Sequence, residues 1–317
     1  MKQPHGSTSG IVRSLSEHRR LVVVGLLLSA AAYVVIPQLG FLDNSWSVLL
    51  ESDWQLGLMA VVALLISYAA ATGIYTLLAS VKLGLRDTYI VQMASSFASR
   101  ALPAGVGSLG VNYLYLRRRG QTKVGAASVV AVNNTVGFIG HACWLMAAIV
   151  WLPVELAQLH IPGGILPIVF IVGALLLLAA LFLWHRTTMV IRSFIRQLEQ
   201  YKRMPWRLAA ALGFSIILTG SYIAMLWLSG RATGLEDFEI TSAIVALTVG
   251  IIAQTATPTP GGLGGAEAGL VAGLTLVGLP VVQAVTVTVL YRVITYWLPL
   301  AIGSVAFWWS LRQGYIR

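Results

Sequence analysis

The stretch Thr257-Pro258-Thr259-Pro260-Gly261-Gly262-Leu263-Gly264-Gly265-Ala266-Glu267 interrupts an apolar run that extends over residues 239–277. Proline removes an amide donor and collides with the preceding turn, while glycine permits backbone that a helix does not use. The run is therefore expected to form two short helices joined by an irregular tip. A second apolar run, 88–116, breaks in the same manner at Leu102-Pro103-Ala104-Gly105-Val106-Gly107. Both breaks read Pro-x-Gly-(Val/Leu)-Gly, once from Pro103 and once from Pro260.

Around these breaks lie six uninterrupted apolar stretches, roughly 20–40, 56–80, 124–151, 162–184, 206–229 and 281–311. About 20 apolar residues cross a hydrocarbon core of roughly 30 Å. Hydrophobic residues make up 57% of the 317 positions and charged residues 10%, where a soluble domain carries about 25% charged residues. The mean hydropathy of +0.82 agrees. Too little polar surface is present to cover a water-soluble globule. The expected fold is an all-α integral membrane protein of about six transmembrane helices plus two re-entrant broken-helix hairpins.

Basic residues set the orientation, because short cytoplasmic loops collect lysine and arginine. With the N-terminus in the cytoplasm and each broken run entering and leaving on one side, the cytoplasmic segments hold most of the basic residues. They are Lys2, Arg13, Arg19 and Arg20; Lys82 and Arg86; Arg117, Arg118, Arg119 and Lys123; the six from Arg186 to Arg207; and Arg312 and Arg317. Arg231 alone falls outside, and Arg100 and Arg292 fall within the membrane. If the broken runs crossed fully, Lys82 and Arg86 would face the side opposite Arg117, Arg118 and Arg119. The expectation is a multi-pass protein of a bacterial inner membrane with both termini cytoplasmic. The net charge of +10 is then an orientation signal, and nucleic acid is not an expected partner.

The organisation that follows is a cytoplasmic tail, 1–19, a single membrane domain, 20–311, and a second tail, 312–317. The first apolar stretch is read as an uncleaved span. Within the domain, repeat one covers about 56–151 and repeat two about 206–311. Each holds a full span, a hairpin and a full span, and the two are inverted relative to one another. Inverted repeats with broken helices near the midplane are a recurring transporter design, and the breaks point to the site. The basic segment 185–205 joins the repeats, either lying along the inner surface or serving as a solvated linker.

Three ionisable residues stand in apolar context: Arg100 before the first break, Glu267 after the second, and Arg292 inside the last span. A charge at a span centre costs about 2.5–3.5 kcal/mol on insertion scales, so each needs a partner or a wet cavity. Glu267 and Arg292 either fasten the second hairpin to the last span as a buried pair, or clamp a headgroup phosphate, or do both in turn. Arg100 either joins them or reaches an interface. The helix after each break would aim its N-terminus at the membrane centre, where free amides favour an anion. Ser108 is expected to cap the first of these helices, and Gly105, Gly107, Gly262 and Gly264 would let a ligand approach the backbone. Tyr291 and Tyr296 flank Arg292 and either line a lipid path or anchor an interface. His141, near Asn133 and Asn134, is expected in a polar contact between helices. No metal constellation, catalytic triad, P-loop or dinucleotide fingerprint is present, so neither catalysis nor a cofactor is expected. Cys143 is the single cysteine, which excludes an intrachain disulfide.

The 257–267 block, followed by Leu290-Tyr291-Arg292-Val293-Ile294-Thr295-Tyr296-Trp297-Leu298-Pro299, resembles the lysylphosphatidylglycerol synthase transmembrane family, the flippase-like membrane domain of the multiple peptide resistance factor. The resemblance covers about 20–311. It implies a protein that moves phospholipid, often aminoacylated, between leaflets, with Glu267 and Arg292 at charged family positions. The first hairpin departs from the family's pattern: Gly105 stands where many relatives have arginine, and Ser108 where they have an acid. The synthase domain of longer relatives does not occur in this chain, so a separate lipid-modifying enzyme is one partner to consider, and a second copy of the chain is another. Some archaeal relatives keep open a role in lipid-linked glycan synthesis, as enzyme or accessory factor. A small-solute transporter is the remaining alternative.

Overall fold

A computed structural model describes residue 50 and residues 52–102, 105–151 and 204–316, all within one compact unit, Val48–Arg317. The expected spans 20–40 and 162–184, nearly all of the basic linker and the N-terminal tail lie outside the described residues. What is described is helical. In chain order the elements are α1 (Trp54–Leu78), α2 (Leu85–Ala101), α3 (Val106–Arg118), α4 (Lys123–Trp151), α5 (Pro205–Ala232), α6 (Ile240–Ala256), α7 (Gly265–Leu276), α8 (Val281–Arg292), a π-helical turn (Val293–Trp297) and α9 (Leu298–Arg312). Among the described residues, α1, α4, α5 and the continuous α8–α9 rod are long and apolar enough to cross a membrane. They stand within a few residues of four of the expected stretches.

Both breaks occur where proline and glycine place them. Helix α2 ends at Ala101 and α3 starts at Val106 after the left-handed Gly105 (φ 68°). Helix α6 ends with Thr257 in extended backbone, the conformation that a following proline imposes. The order long, short, short, long thus occurs twice, over 54–151 and 205–312. The packing repeats as well. Helices α2 and α3 pack together as α6 and α7 do. Helix α1 contacts α2 as α5 contacts α6, α3 contacts α4 as α7 contacts α8, and α1 and α5 lie against each other.

Apolar side chains cannot drive helices together in lipid as they do in water, so close packing through small residues must do it. The second hairpin shows how. Gly265, Gly269 and Gly273 form a stripe at four-residue spacing along α7. A Cβ at Gly269 would lie 2.5 Å from Ala253 Cβ, and one at Gly273 would lie 2.6 Å from Ala246 Cα. In the first hairpin a Cβ on Gly107 would come within 1.9 Å of Ala98 O, so the start of α3 rides directly on the end of α2. Gly303 brings α9 close to α2 as well, where an added Cβ would lie 2.7 Å from Met93 O. Large apolar side chains that find no such neighbour, among them Leu58, Phe138, Ile252, Val282 and Val305, stand exposed on the helices, as a lipid-facing surface requires.

The base of the first hairpin is tied to the C-terminal segment by polar contacts. Asp87 accepts from Arg119 (2.5 Å) and from the Tyr315 hydroxyl (2.9 Å). The Arg119 guanidinium lies 5.2 Å and 5.1 Å from the Tyr115 and Tyr315 ring centres. These groups stand at helix ends, where water competes for them, so they position the ends more than they stabilise the core.

Candidate functional site

Glu267 is the third residue of α7. Its Oε2 accepts from the Gly264 amide at 2.7 Å, satisfying one of the free donors at a helix N-terminus. Its Oε1 accepts from Arg292 Nε at 2.6 Å. The two side chains are only 16% and 7% exposed, so this is a buried ion pair between the second hairpin and the last rod. The Arg292 guanidinium also lies 4.5 Å from the centre of the Tyr296 ring, an attractive cation–π arrangement. Arg292 Nη2 is buried and has no hydrogen-bond partner, nor has the Tyr296 hydroxyl. An unpaired buried donor on a charged group is costly, and Arg292 is one of the residues that border a cavity.

Arg100, in the last turn of α2, comes to the same place. Its Nη1 donates to Ser96 O at 2.7 Å, and both Nε and Nη2 donate to Thr295 O, Nε at 3.0 Å. That carbonyl is available for a local reason. Pro299 lies four residues after Thr295 and has no amide to return to it. The rod accommodates the gap with the π-helical turn Val293–Trp297, a form found mostly as single turns at functional positions. Arg100 is thus held within the protein by carbonyl groups and is not drawn out to an interface. Among the described residues, no carboxylate pairs with it. Pro299→Ala would offer Thr295 O an intrahelical donor and set it in competition with Arg100. The variant is expected to fold at least as stably as wild type, as read by thermal unfolding in detergent.

A cavity of about 250 Å³ lies among these residues, bordered by Arg100, Arg292, Tyr291, Tyr296, Thr295 and Gln254. Gly261, at the tip of the second hairpin, forms part of its wall and lies beside both the π-helical turn and the end of α2. A Cβ there would lie 2.6 Å from the Tyr296 ring and 3.3 Å from Arg100 Cα. A second cavity, also about 250 Å³, shares Ser99, Arg100 and Tyr222 with the first and extends between α1, α2, α3 and α4.

Of the residues singled out by sequence, Arg100, Tyr291, Arg292 and Tyr296 meet at the first cavity, with Glu267 behind Arg292. Gly264 serves Glu267 through its amide, and Gly262 packs against Gln254. Gly107 is a packing contact, and Gly105 is the turn before α3. Ser108 lines the second cavity but does not cap α3. Its hydroxyl donates to Gly105 O at 2.9 Å, and the residue at the cap position is Gly105, which has no side chain to accept an amide. His141 Nε2 lies 3.3 Å from Thr248 Oγ1, a contact between α4 and α6.

Sequence reasoning missed Thr295 and the polar wall of the second cavity. Gln92, Ser95, Ser96 and Ser99 recur on α2 at the spacing of one helix face, and Ser108 and Asn112 do so on α3. This spacing is in the sequence, but it stands out only once the two helix faces are aligned. Gln92 Nε2 donates to Asn112 Oδ1 at 2.9 Å, and Asn112 Nδ2 donates to Ser95 Oγ at 2.8 Å and Ser108 O at 2.9 Å. Among the described residues, no three His, Cys, Asp or Glu side chains gather as a metal site would need.

Comparison with curated proteins gives no match. The model of the family described as the lysylphosphatidylglycerol synthase TM region matches residues 22–303, nearly the whole chain. With its helices of membrane-spanning length, the chain is a multi-pass membrane protein belonging to the lysylphosphatidylglycerol synthase TM region family.

Proposed function

We propose that the protein translocates phospholipid between leaflets, with the headgroup passing through the cavity at Arg100 and Arg292. The observation that carries this reading is the convergence of two guanidinium groups, Arg292 backed by the Glu267 carboxylate, on a cavity beside the tip of the second helix break. A phosphate headgroup crossing hydrocarbon loses its hydration, and that is the main barrier. Fixed guanidinium donors replace the lost water bonds in a charge-assisted form. The unpartnered Arg292 Nη2 is the donor already free to do so. Acyl chains need no such help and remain in the bilayer.

In this reading the two hairpins are re-entrant and enter from opposite faces, as parts of an inverted repeat. Their tips meet at Gly261 and Arg100, near the midplane. Rocking of the repeats about the α1–α5 contact exposes the cavity to each leaflet in turn. The setting is a bacterial inner membrane with both termini in the cytoplasm.

Vesicles reconstituted with the purified protein and a fluorescent phospholipid, quenched from outside, measure the exchange directly. Wild-type protein is expected to move lipid at least tenfold faster than Arg292→Ala or protein-free vesicles. Equal rates in all three would remove the proposal.

A further inference from the structure

Resting on the translocation reading, we infer that the site selects a phosphodiester lipid of net charge −1 whose headgroup is an uncharged polyol, and disfavours cationic, aminoacylated headgroups. The first argument is formal charge. Arg100 and Arg292 both border the first cavity. Glu267 is bonded to Arg292, and both of its oxygens are already engaged. Among the described residues, no aspartate or glutamate lines either cavity. Arg100 spends its donors on the Thr295 and Ser96 carbonyls, which satisfy its hydrogen bonds but leave its charge. The resting site therefore carries an excess of one positive charge in a region of low dielectric. A phosphodiester with a neutral headgroup cancels it. A zwitterionic headgroup leaves it uncancelled, and a lysylated one, whose two ammonium groups make the lipid net +1, doubles it.

The second argument is the chemistry of the adjoining cavity, which meets the first at Arg100. Its wall is built of neutral hydrogen-bonding groups: Gln92, Ser95, Ser96, Ser108, Asn112 and Asn134. Bonds among Gln92, Asn112 and Ser95 hold the amides in fixed orientation. Hydroxyl and amide walls both donate and accept, which suits the hydroxyls of glycerol or a sugar. An ammonium group has donors only and would need a carboxylate or several free acceptors, and the wall supplies no carboxylate. With phosphate at Arg100 and Arg292, the polyol falls into this second cavity.

The same phosphate–polyol chemistry occurs in a water-soluble ester, so the test must separate the sources. Proteoliposomes are assayed with tail-labelled phosphatidylglycerol, phosphatidylethanolamine and lysyl-phosphatidylglycerol, and separately for uptake of glycerophosphoglycerol, the soluble headgroup. Phosphatidylglycerol is expected to move at least tenfold faster than either other lipid, with no uptake of the soluble ester. Asn134→Asp is isosteric at an exposed position and adds a carboxylate to the second cavity. It is expected to slow phosphatidylglycerol at least fivefold and to narrow its lead over the lysyl lipid. If all three lipids move at similar Arg292-dependent rates, or the lysyl lipid moves fastest, the selectivity is overturned and translocation stands. If no lipid outpaces Arg292→Ala while the soluble ester is taken up, the site's chemistry is upheld and lipid translocation is overturned. If neither the lipids nor the ester are moved, both inferences fall.

Discussion

Glu267→Ala is expected to destabilise the protein by about 3–5 kcal/mol, the cost of leaving one partner of a buried pair uncompensated. Arg292 is 5% exposed, so its guanidinium cannot reach bulk water once the carboxylate is gone. The same substitution removes the acceptor that Glu267 gives to the Gly264 amide, so the start of α7 frays as well. Thermal unfolding in detergent, followed by tryptophan fluorescence, reads the loss. A double variant, Glu267→Leu with Arg292→Met, makes the test discriminating. Replacing both charges by apolar groups of similar size is often neutral for stability. The double variant is therefore expected to recover most of the lost stability and to show transport at the protein-free level. Recovery of both would mean that the pair only fastens the second hairpin to the last rod. Recovery of stability alone shows that the charges serve the substrate. This separates the two roles that the sequence allowed for Glu267 and Arg292.

The helix breaks were legible because proline and glycine act locally. Pro258 and Pro260 end a helix whatever surrounds them, so the positions of α6 and α7 follow from composition. The long helices were legible for the same reason, since twenty apolar residues carry their own signature. Arg100 was different. Its charge in apolar context marked it for notice, but its partner is a backbone carbonyl 195 positions away. No side-chain pattern reports which carbonyl a fold leaves open. The clue was Pro299, which withholds an amide from Thr295, yet its effect becomes visible only when α2 is packed against the rod. Ser108 was misread because capping was inferred from residue type alone. The turn at Gly105 places that carbonyl, and not a free amide, within reach of the hydroxyl. The charged pair was legible as two residues needing partners, while the neutral second cavity was not. Scattered serines and amides carry no strong signal until their helix faces are aligned.

Gly261→Val is expected to abolish transport and to lower stability by about 3–4 kcal/mol. Gly261 sits at φ +61°, a left-handed conformation that costs an L-residue about 1–2 kcal/mol and a β-branched residue more. Its Cβ would also approach the Tyr296 ring to 2.6 Å, with Arg100 Cα and O each 3.3 Å away. Overpacking of this kind adds about 1–3 kcal/mol. The ring cannot simply yield, because the Arg292 guanidinium rests on it at 4.5 Å and Tyr296 is 1% exposed. Displacing the ring therefore moves Arg292, and displacing the hairpin moves the wall of the cavity. Gly278→Ala supplies the comparison. It carries the same kind of conformation (φ +95°) at the end of α7, with nothing within 4 Å of the added Cβ. The expected loss there is about 1–2 kcal/mol, from backbone conformation alone, with transport unchanged. Measured side by side, the two variants separate the cost of an unfavourable backbone from the cost of wedging the meeting point of the repeats. A Gly261→Val protein that transports as well as Gly278→Ala would show that the contact between Gly261, Arg100 and Tyr296 has no part in the passage of substrate.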